Sequence, residues 1–301
     1  MKDINTYLNS LPDDYLDIDL SRCNLTELPD LSRFTQLQRL DCYNNQLTSL
    51  PDNLPNSLQI LSCSSNQLTS LPNTLPNSLK ELYCGNNQLT SLPDNLCCPH
   101  RPNSLQILYC GWNQLTSLPA HLPDSLQKLD CANNQLTSLP VHLPDSLQTL
   151  YCSYNKLTSL PDHLCCPHGP DSLQILICDD NQLTSLPDLP NSLQELCCGW
   201  NQLTSLPDLP NSLQYYNYEN NPELNKVYPL LDSFKTIEEE TKYIQERNRQ
   251  LIKEKAEEQM KRLNPEEGGL VETAIQWKMR PERMALYLNE GYNLDEIHNF
   301  I

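Results

Sequence analysis

The chain has 301 residues, with 20 lysines and arginines against 38 aspartates and glutamates, for a net charge of −18. So acidic a chain disfavours nucleic acid and anionic membranes, both of which are held by neutralising negative charge. No run approaches 18 apolar residues and no apolar segment opens the chain, so neither a membrane span nor a secretory signal is expected.

Residues 1–14 are polar and short, and read as an N-terminal cap segment of a cytoplasmic, intracellular protein. From Tyr15 a repeat takes over. Leu-Thr-Ser-Leu-Pro occurs eight times between Leu47 and Pro207, and a drifted copy starts at Leu25. One full unit reads Leu-x-x-Leu-x-Cys-x-x-Asn-x-Leu-Thr-Ser-Leu-Pro. Its first leucines are Leu37, Leu58, Leu79, Leu105, Leu126, Leu147, Leu173, Leu193 and Leu213, with Tyr15 opening a degenerate copy. Residues 15–221 thus hold ten units, most of them 20–22 residues long and two of them 26. Self-similarity at such a period marks a solenoid, in which each unit buries its apolar face only against its neighbours.

The columns of the repeat each carry a physical reason. Leu58, Leu61 and Cys63 are expected to face inward from a short strand, with Ile60 and Ser62 facing out. Asn66 and its equivalents turn the chain and supply an amide for backbone groups that a buried turn would leave unpaired. The return leg carries up to two prolines, as in Leu71-Pro72-Asn73-Thr74-Leu75-Pro76. Proline lacks an N–H and fixes φ, so this leg is expected to be extended or polyproline-like. Ten strands at about 4.8 Å spacing form a curved parallel sheet roughly 45 Å long, strands concave and proline legs convex.

This unit resembles the leucine-rich repeat, with cysteine in the third apolar slot. The stretch Leu186-Pro187-Asp188-Leu189-Pro190-Asn191-Ser192-Leu193 resembles the short repeats of secreted bacterial effectors. The Cys-bearing version with Asn-Gln-Leu-Thr-Ser-Leu-Pro is more similar still to repeat proteins of giant viruses that infect amoebae. The resemblance covers residues 15–221. For a viral protein it implies residence in the host cytoplasm.

Eight of the 14 cysteines (Cys42, Cys63, Cys84, Cys110, Cys131, Cys152, Cys178 and Cys198) occupy the inward slot. There cysteine acts as a small hydrophobe, so reduced, stacked thiols are expected in place of disulfides. Both 26-residue spacings contain the same insertion, Leu96-Cys97-Cys98-Pro99-His100-Arg101-Pro102 and Leu164-Cys165-Cys166-Pro167-His168-Gly169-Pro170. These lie 68 residues apart, the length of three units, and read as copies made when a block of three repeats was duplicated. Cys97, Cys98, His100, Cys165, Cys166 and His168 are the only candidates for a metal site. Adjacent cysteines point apart on an extended chain, and zinc favours a wider spacing, so a surface bulge is the preferred reading and no metal or cofactor is expected.

Two outward strand columns vary from unit to unit while the scaffold columns barely change. The first runs Asp17, Arg39, Ile60, Glu81, Ile107, Lys128, Thr149, Ile175, Glu195, Tyr215. The second runs Asp19, Asp41, Ser62, Tyr83, Tyr109, Asp130, Tyr151, Ile177, Cys197, Asn217. Trp112, Tyr154 and Trp200 follow just beyond the strands. Exposed aromatics with isoleucine on a rigid sheet suit protein binding, so Tyr83, Ile107, Tyr109, Trp112, Tyr151, Tyr154, Ile175, Ile177 and Trp200 are the candidate concave-face site. Asp41 and Asp130 are expected to add polar contacts at its rim.

The repeat stops after Asn221. Residues 222–301 read as a helical tail with a long helix over about 232–263, capped by Asp232 or Ser233 and ended by Pro265, then short helices over about 269–298. Glu238/Lys242, Glu257/Lys261 and Glu258/Arg262 are favourable pairs along the long helix. Phe234, Ile237, Ile244 and Leu251 form a heptad that Asn248 and Lys255 weaken, so a monomer is expected, with dimerisation through this helix as the alternative. The tail holds 12 basic and 16 acidic residues, leaving 8 and 22 in the repeat region.

Some effector families with this type of repeat carry a cysteine-dependent ubiquitin ligase after it. No cysteine follows Cys198 here, and no phosphate loop, serine elbow or zinc-protease helix occurs, so no enzyme is expected. The reading is a non-catalytic protein-interaction module. Its alternative is an adaptor whose tail recruits a second protein, such as degradation machinery, to the bound target.

Overall fold

The computed structural model describes residues 4–96, 104–164, 172–229, 231 and 236–263. Two compact units divide at Pro229/Leu230. In the first, each repeat contributes one three-residue strand. These are β1 (Asp17–Asp19), β2 (Arg39–Asp41), β3 (Ile60–Ser62), β4 (Glu81–Tyr83), β5 (Ile107–Tyr109), β6 (Lys128–Asp130), β7 (Thr149–Tyr151), β8 (Ile175–Ile177), β9 (Glu195–Cys197) and β10 (Tyr215–Asn217). They pair in parallel, each with the next in the chain, to form one sheet in order β1 to β10. The return legs are not uniformly extended: most end in a turn in which the first leucine of the next unit donates to a proline carbonyl three residues earlier, as Leu58 does to Pro55 at 3.0 Å and Leu126 to Pro123 at 2.9 Å, and 3-10 turns lie at Asp94–Leu96 and Asp162–Leu164.

The core is a set of stacked columns. Leu40, Leu61, Leu82, Leu108, Leu150 and Leu176 at strand centres are inaccessible to solvent, and so are all eight cysteines of the inward slot. Tyr15 departs from its column. It stays exposed while Leu37 and Leu58 are buried, because no coil precedes it to cover it.

Two polar ladders stitch the coils together. The Asn66 amide donates to the carbonyls of Cys42 and Cys63, both at 3.0 Å, and its Oδ1 accepts from Leu47 N–H at 3.0 Å. Asn134 makes the same bonds to Cys110, Cys131 and Leu115. Each asparagine thus satisfies groups in two coils that a bare turn would bury unpaired. A serine column, which the sequence reading did not single out, works on the opposite edge. Ser57, Ser78, Ser104, Ser125, Ser146, Ser172, Ser192 and Ser212 each donate to the carbonyl of the first leucine one coil back, at 2.6–2.8 Å. Among the described residues, Ser153 Oγ alone is buried without a partner.

Both ends of the stack are closed. Helix α1 (Ile4–Asn9) buries Leu8, and Arg33 donates to the carbonyls of Leu8 and Leu11 while pairing with Asp13 and lying over the Phe34 ring. At the other end α2 (Leu224–Val227) leads into Tyr228, which is fully buried. Its hydroxyl accepts from Leu206 N–H at 3.0 Å and donates to Leu206 C=O at 3.2 Å.

In the second unit, α3 spans Ile237–Leu263. The expected caps Asp232 and Ser233 lie outside the described residues. Thr236 fills the role: its Oγ1 accepts from Glu239 N–H at 3.2 Å, and Thr-x-x-Glu is the capping-box pattern. The Glu238–Lys242 pair forms at 2.7 Å. The other two expected pairs involve side chains outside the described set, as do both Cys-Cys-Pro-His insertions and the short helices after 263.

Candidate protein-binding face

The strand register brings the two variable columns together residue by residue. Glu81 pairs with Ile107, Ile107 with Lys128, Lys128 with Thr149 and Thr149 with Ile175. Alongside them run Tyr83, Tyr109, Asp130, Tyr151 and Ile177, each opposite the next. Most of these side chains are half-buried, and Thr149 is buried.

Tyr83 and Tyr109 stack with ring centroids 5.1 Å apart and planes inclined by 22°. The Tyr83 hydroxyl donates to Glu81 Oε2 at 2.7 Å. Burial, together with that carboxylate, pushes its pKa up to about 12. Burial likewise raises Tyr109 and Tyr151, with Asp130 adding to both. Asp130 sits between these two tyrosines, and burial raises its own pKa. Tyr83, Tyr109 and Tyr151 therefore stay protonated and able to donate at neutral pH.

Asp41 and Asp130, expected at the rim, also have a local structural task. Asp41 Oδ1 accepts from Tyr43 N–H at 2.9 Å and Asp130 Oδ1 from Ala132 N–H at 3.0 Å. Asp19 and Asn217 do the same with Ser21 and Glu219. Each carboxylate or amide here closes the turn that leaves the strand, a local bond that Asp and Asn favour.

Trp112, Tyr154 and Trp200 do not lie on the sheet face. They belong to a third column, in the turns, where Asn44, Ser65, Asn86, Asn133, Asp180 and Asn220 also sit, all with φ between 48° and 58°. The left-handed conformation is imposed by a backbone ladder that continues beyond the strands. Trp112 N–H donates to Ala132 C=O at 2.9 Å, Tyr154 to Asp179 at 3.0 Å, Asp180 to Gly199 at 3.1 Å and Trp200 to Glu219 at 2.8 Å. Asparagine tolerates this conformation, whereas a bulky aromatic is rare in it. Even so, Trp112 is 66% exposed, Tyr154 57% and Trp200 51%. The three are strained and contribute little packing in return.

The nine candidate residues thus form two surfaces. Tyr83, Ile107, Tyr109, Tyr151, Ile175 and Ile177 share the sheet. Trp112, Tyr154 and Trp200 stand on the neighbouring turn ridge, two coils apart from one another. A shallow groove of about 650 Å³ opens on that ridge between Tyr154 and Trp200, with Asp180 and Asn220 in its lining. The sequence reading did not pick out Asp180. Its phase in the repeat, one residue before the ladder asparagine, would have placed it there.

Among the described residues, no group of three His, Cys, Asp or Glu is placed to hold a metal ion, and no helix is long and apolar enough to cross a membrane. Leucine-rich repeat models match residues 36–56, 56–97, 125–145 and 146–167. The fold is a leucine-rich repeat solenoid. The chain is similar to the leucine-rich effector protein YopM of Yersinia pestis, at 34% identity over 66% of this chain and 59% of that one, with a TM-score of 0.53. It is also similar to a leucine-rich repeat protein of Leptospira interrogans, at 29% identity over 73% of this chain and 70% of that one, with a TM-score of 0.56. No curated protein matches the chain. Repeats of this kind are typically non-enzymatic scaffolds that bind proteins.

Proposed function

We infer that this chain is a non-catalytic module that captures a partner protein on the concave strand face. One observation carries the reading. The scaffold columns are near-invariant, while the two outward columns hold a Tyr and Ile surface interrupted by Lys128, Thr149 and Asp130, flanked by aromatics in a strained conformation. Strain kept at exposed positions favours a role in binding over one in folding. Eight buried thiols suit a reducing, intracellular compartment, and the effector label of the Yersinia protein fits that setting.

The test is affinity capture from cell extract by full-length protein and by a Tyr109→Ala, Tyr151→Ala, Trp112→Ala variant with an unchanged unfolding midpoint. Loss of the captured partner is the expected result. An identical capture profile would remove this face from consideration.

A second reading rests on the separate α3 unit, a long polar helix that an end cap does not require. In that reading the tail recruits a second protein to the bound target. Comparing residues 1–229 with the full chain distinguishes the two, because only an adaptor loses a class of partners on truncation.

A further inference from the structure

We propose that the groove between Tyr154 and Trp200 is a socket for an arginine side chain of the partner, with Asp180 as its counter-charge. This goes beyond the sheet-face reading in naming the chemistry recognised, and it rests on that reading for the claim that a partner protein docks here at all.

The argument begins with spacing. Tyr154, Asp180, Trp200 and Asn220 occupy the same position in four successive coils, joined by the backbone ladder. Two coil steps separate the aromatics, about 10 Å. A planar cation between two rings at van der Waals contact needs roughly 7–8 Å, so a backbone spacing of about 10 Å leaves room for one guanidinium. The intervening coil places a carboxylate there instead of a third ring.

The charge around the groove is complementary to such a guest. Asp180 is half-buried in the lining, and its charge, with a hydrogen bond from the Tyr154 phenol, raises the pKa of that phenol and leaves the carboxylate further lone pairs for a guest. Asp179 contributes a second carboxylate one residue away, oriented by a 2.7 Å bond from Gly199 N–H to its Oδ1. Gly199 is needed for that approach, since a Cβ there would meet Glu219 O at 3.0 Å and Asp179 Oδ1 at 3.2 Å. No lysine or arginine lines the groove.

The choice of arginine follows from the combination. Aromatic walls favour a delocalised, weakly hydrated cation, and a carboxylate favours one that carries N–H donors. A quaternary ammonium satisfies the walls and offers no N–H to Asp180. A neutral apolar side chain leaves the carboxylate desolvated.

The experiment titrates the full-length protein with the blocked pentapeptide Gly-Gly-Arg-Gly-Gly and with the same peptide carrying citrulline, a neutral isostere. The readout is the indole N–H resonance of Trp200, identified as the one missing from Trp200→Asn. The expected result is a saturable shift with a dissociation constant on the order of millimolar for the arginine peptide. Asp180→Asn should weaken it about tenfold, and Tyr154→Asn several-fold. Asparagine already occupies this column at positions 44, 86, 133 and 220, so these variants are expected to fold. No shift, equal binding of the citrulline peptide, or unchanged affinity in Asp180→Asn would each overturn the socket. Capture through Tyr109 and Tyr151 involves residues outside the groove and would be unaffected by that failure.

Discussion

At the scale of single residues, the positions preceding the ladder asparagines separate folding from function most clearly. Each must adopt positive φ, because its N–H donates to the next coil. For Trp112 the left-handed conformation costs about 1 kcal/mol, and its exposed ring recovers little of it. Trp112→Asn is therefore expected to raise stability by up to about 1 kcal/mol, read as a higher urea midpoint. The same change should weaken partner capture. A lower midpoint would mean that the indole packs better than its 66% exposure implies.

At the scale of elements, the thiol column has a consequence for pH. Burial pushes the thiols of Cys84 and Cys152 up to about 12, and raises the other six as well. In the unfolded chain a thiol titrates near 8.5. The folded state therefore holds its protons more tightly, and the stability so gained is complete below about pH 8 and declines as pH rises towards 12. The slope is on the order of 1 kcal/mol per pH unit for each column thiol. Urea midpoints at pH 8 and pH 10.5 should differ strongly in the native protein and less in a Cys84→Ala, Cys152→Ala variant. Equal slopes would place the buried thiols outside the titration.

Most of this element was legible in the sequence. Cysteine in the third apolar slot, nine in-phase asparagines and the prolines of the return leg each dictate one local conformation. The serine ladder was less visible, because a serine before leucine is an ordinary turn residue until the preceding coil supplies its acceptor. The split of the candidate site into sheet and ridge was hidden for a related reason. Spacing places Trp112, Tyr154 and Trp200 near the strands, but only the sign of φ shows that they stand beside the face. The turn-closing task of Asp41 and Asp130 was hidden as well, since the N–H that each carboxylate accepts is in place only once the chain has turned.

At the scale of the whole molecule, a solenoid is a sum of coils and interfaces, so its ends decide how it comes apart. Tyr228 seals the last coil by both donating to and accepting from Leu206. Tyr228→Phe removes both of these bonds, at a cost of about 1–3 kcal/mol. Hydrogen exchange should then quicken first in β9 and β10, leaving β1–β6 at their native rates. Uniform acceleration across all ten strands would show a more cooperative unit than nearest-neighbour coupling implies.

The two strand steps that span 26 residues, Glu81 to Ile107 and Thr149 to Ile175, give the same pairing as those that span 20 to 22. Register on the strand side is therefore indifferent to how much chain the opposite side spends in closing a coil. The two sides can change independently. One accepts whole new segments without moving a single outward strand residue, and the other can exchange outward residues one at a time without altering the pitch. The chemistry displayed on the strand side can therefore be rewritten without rewriting how the chain folds.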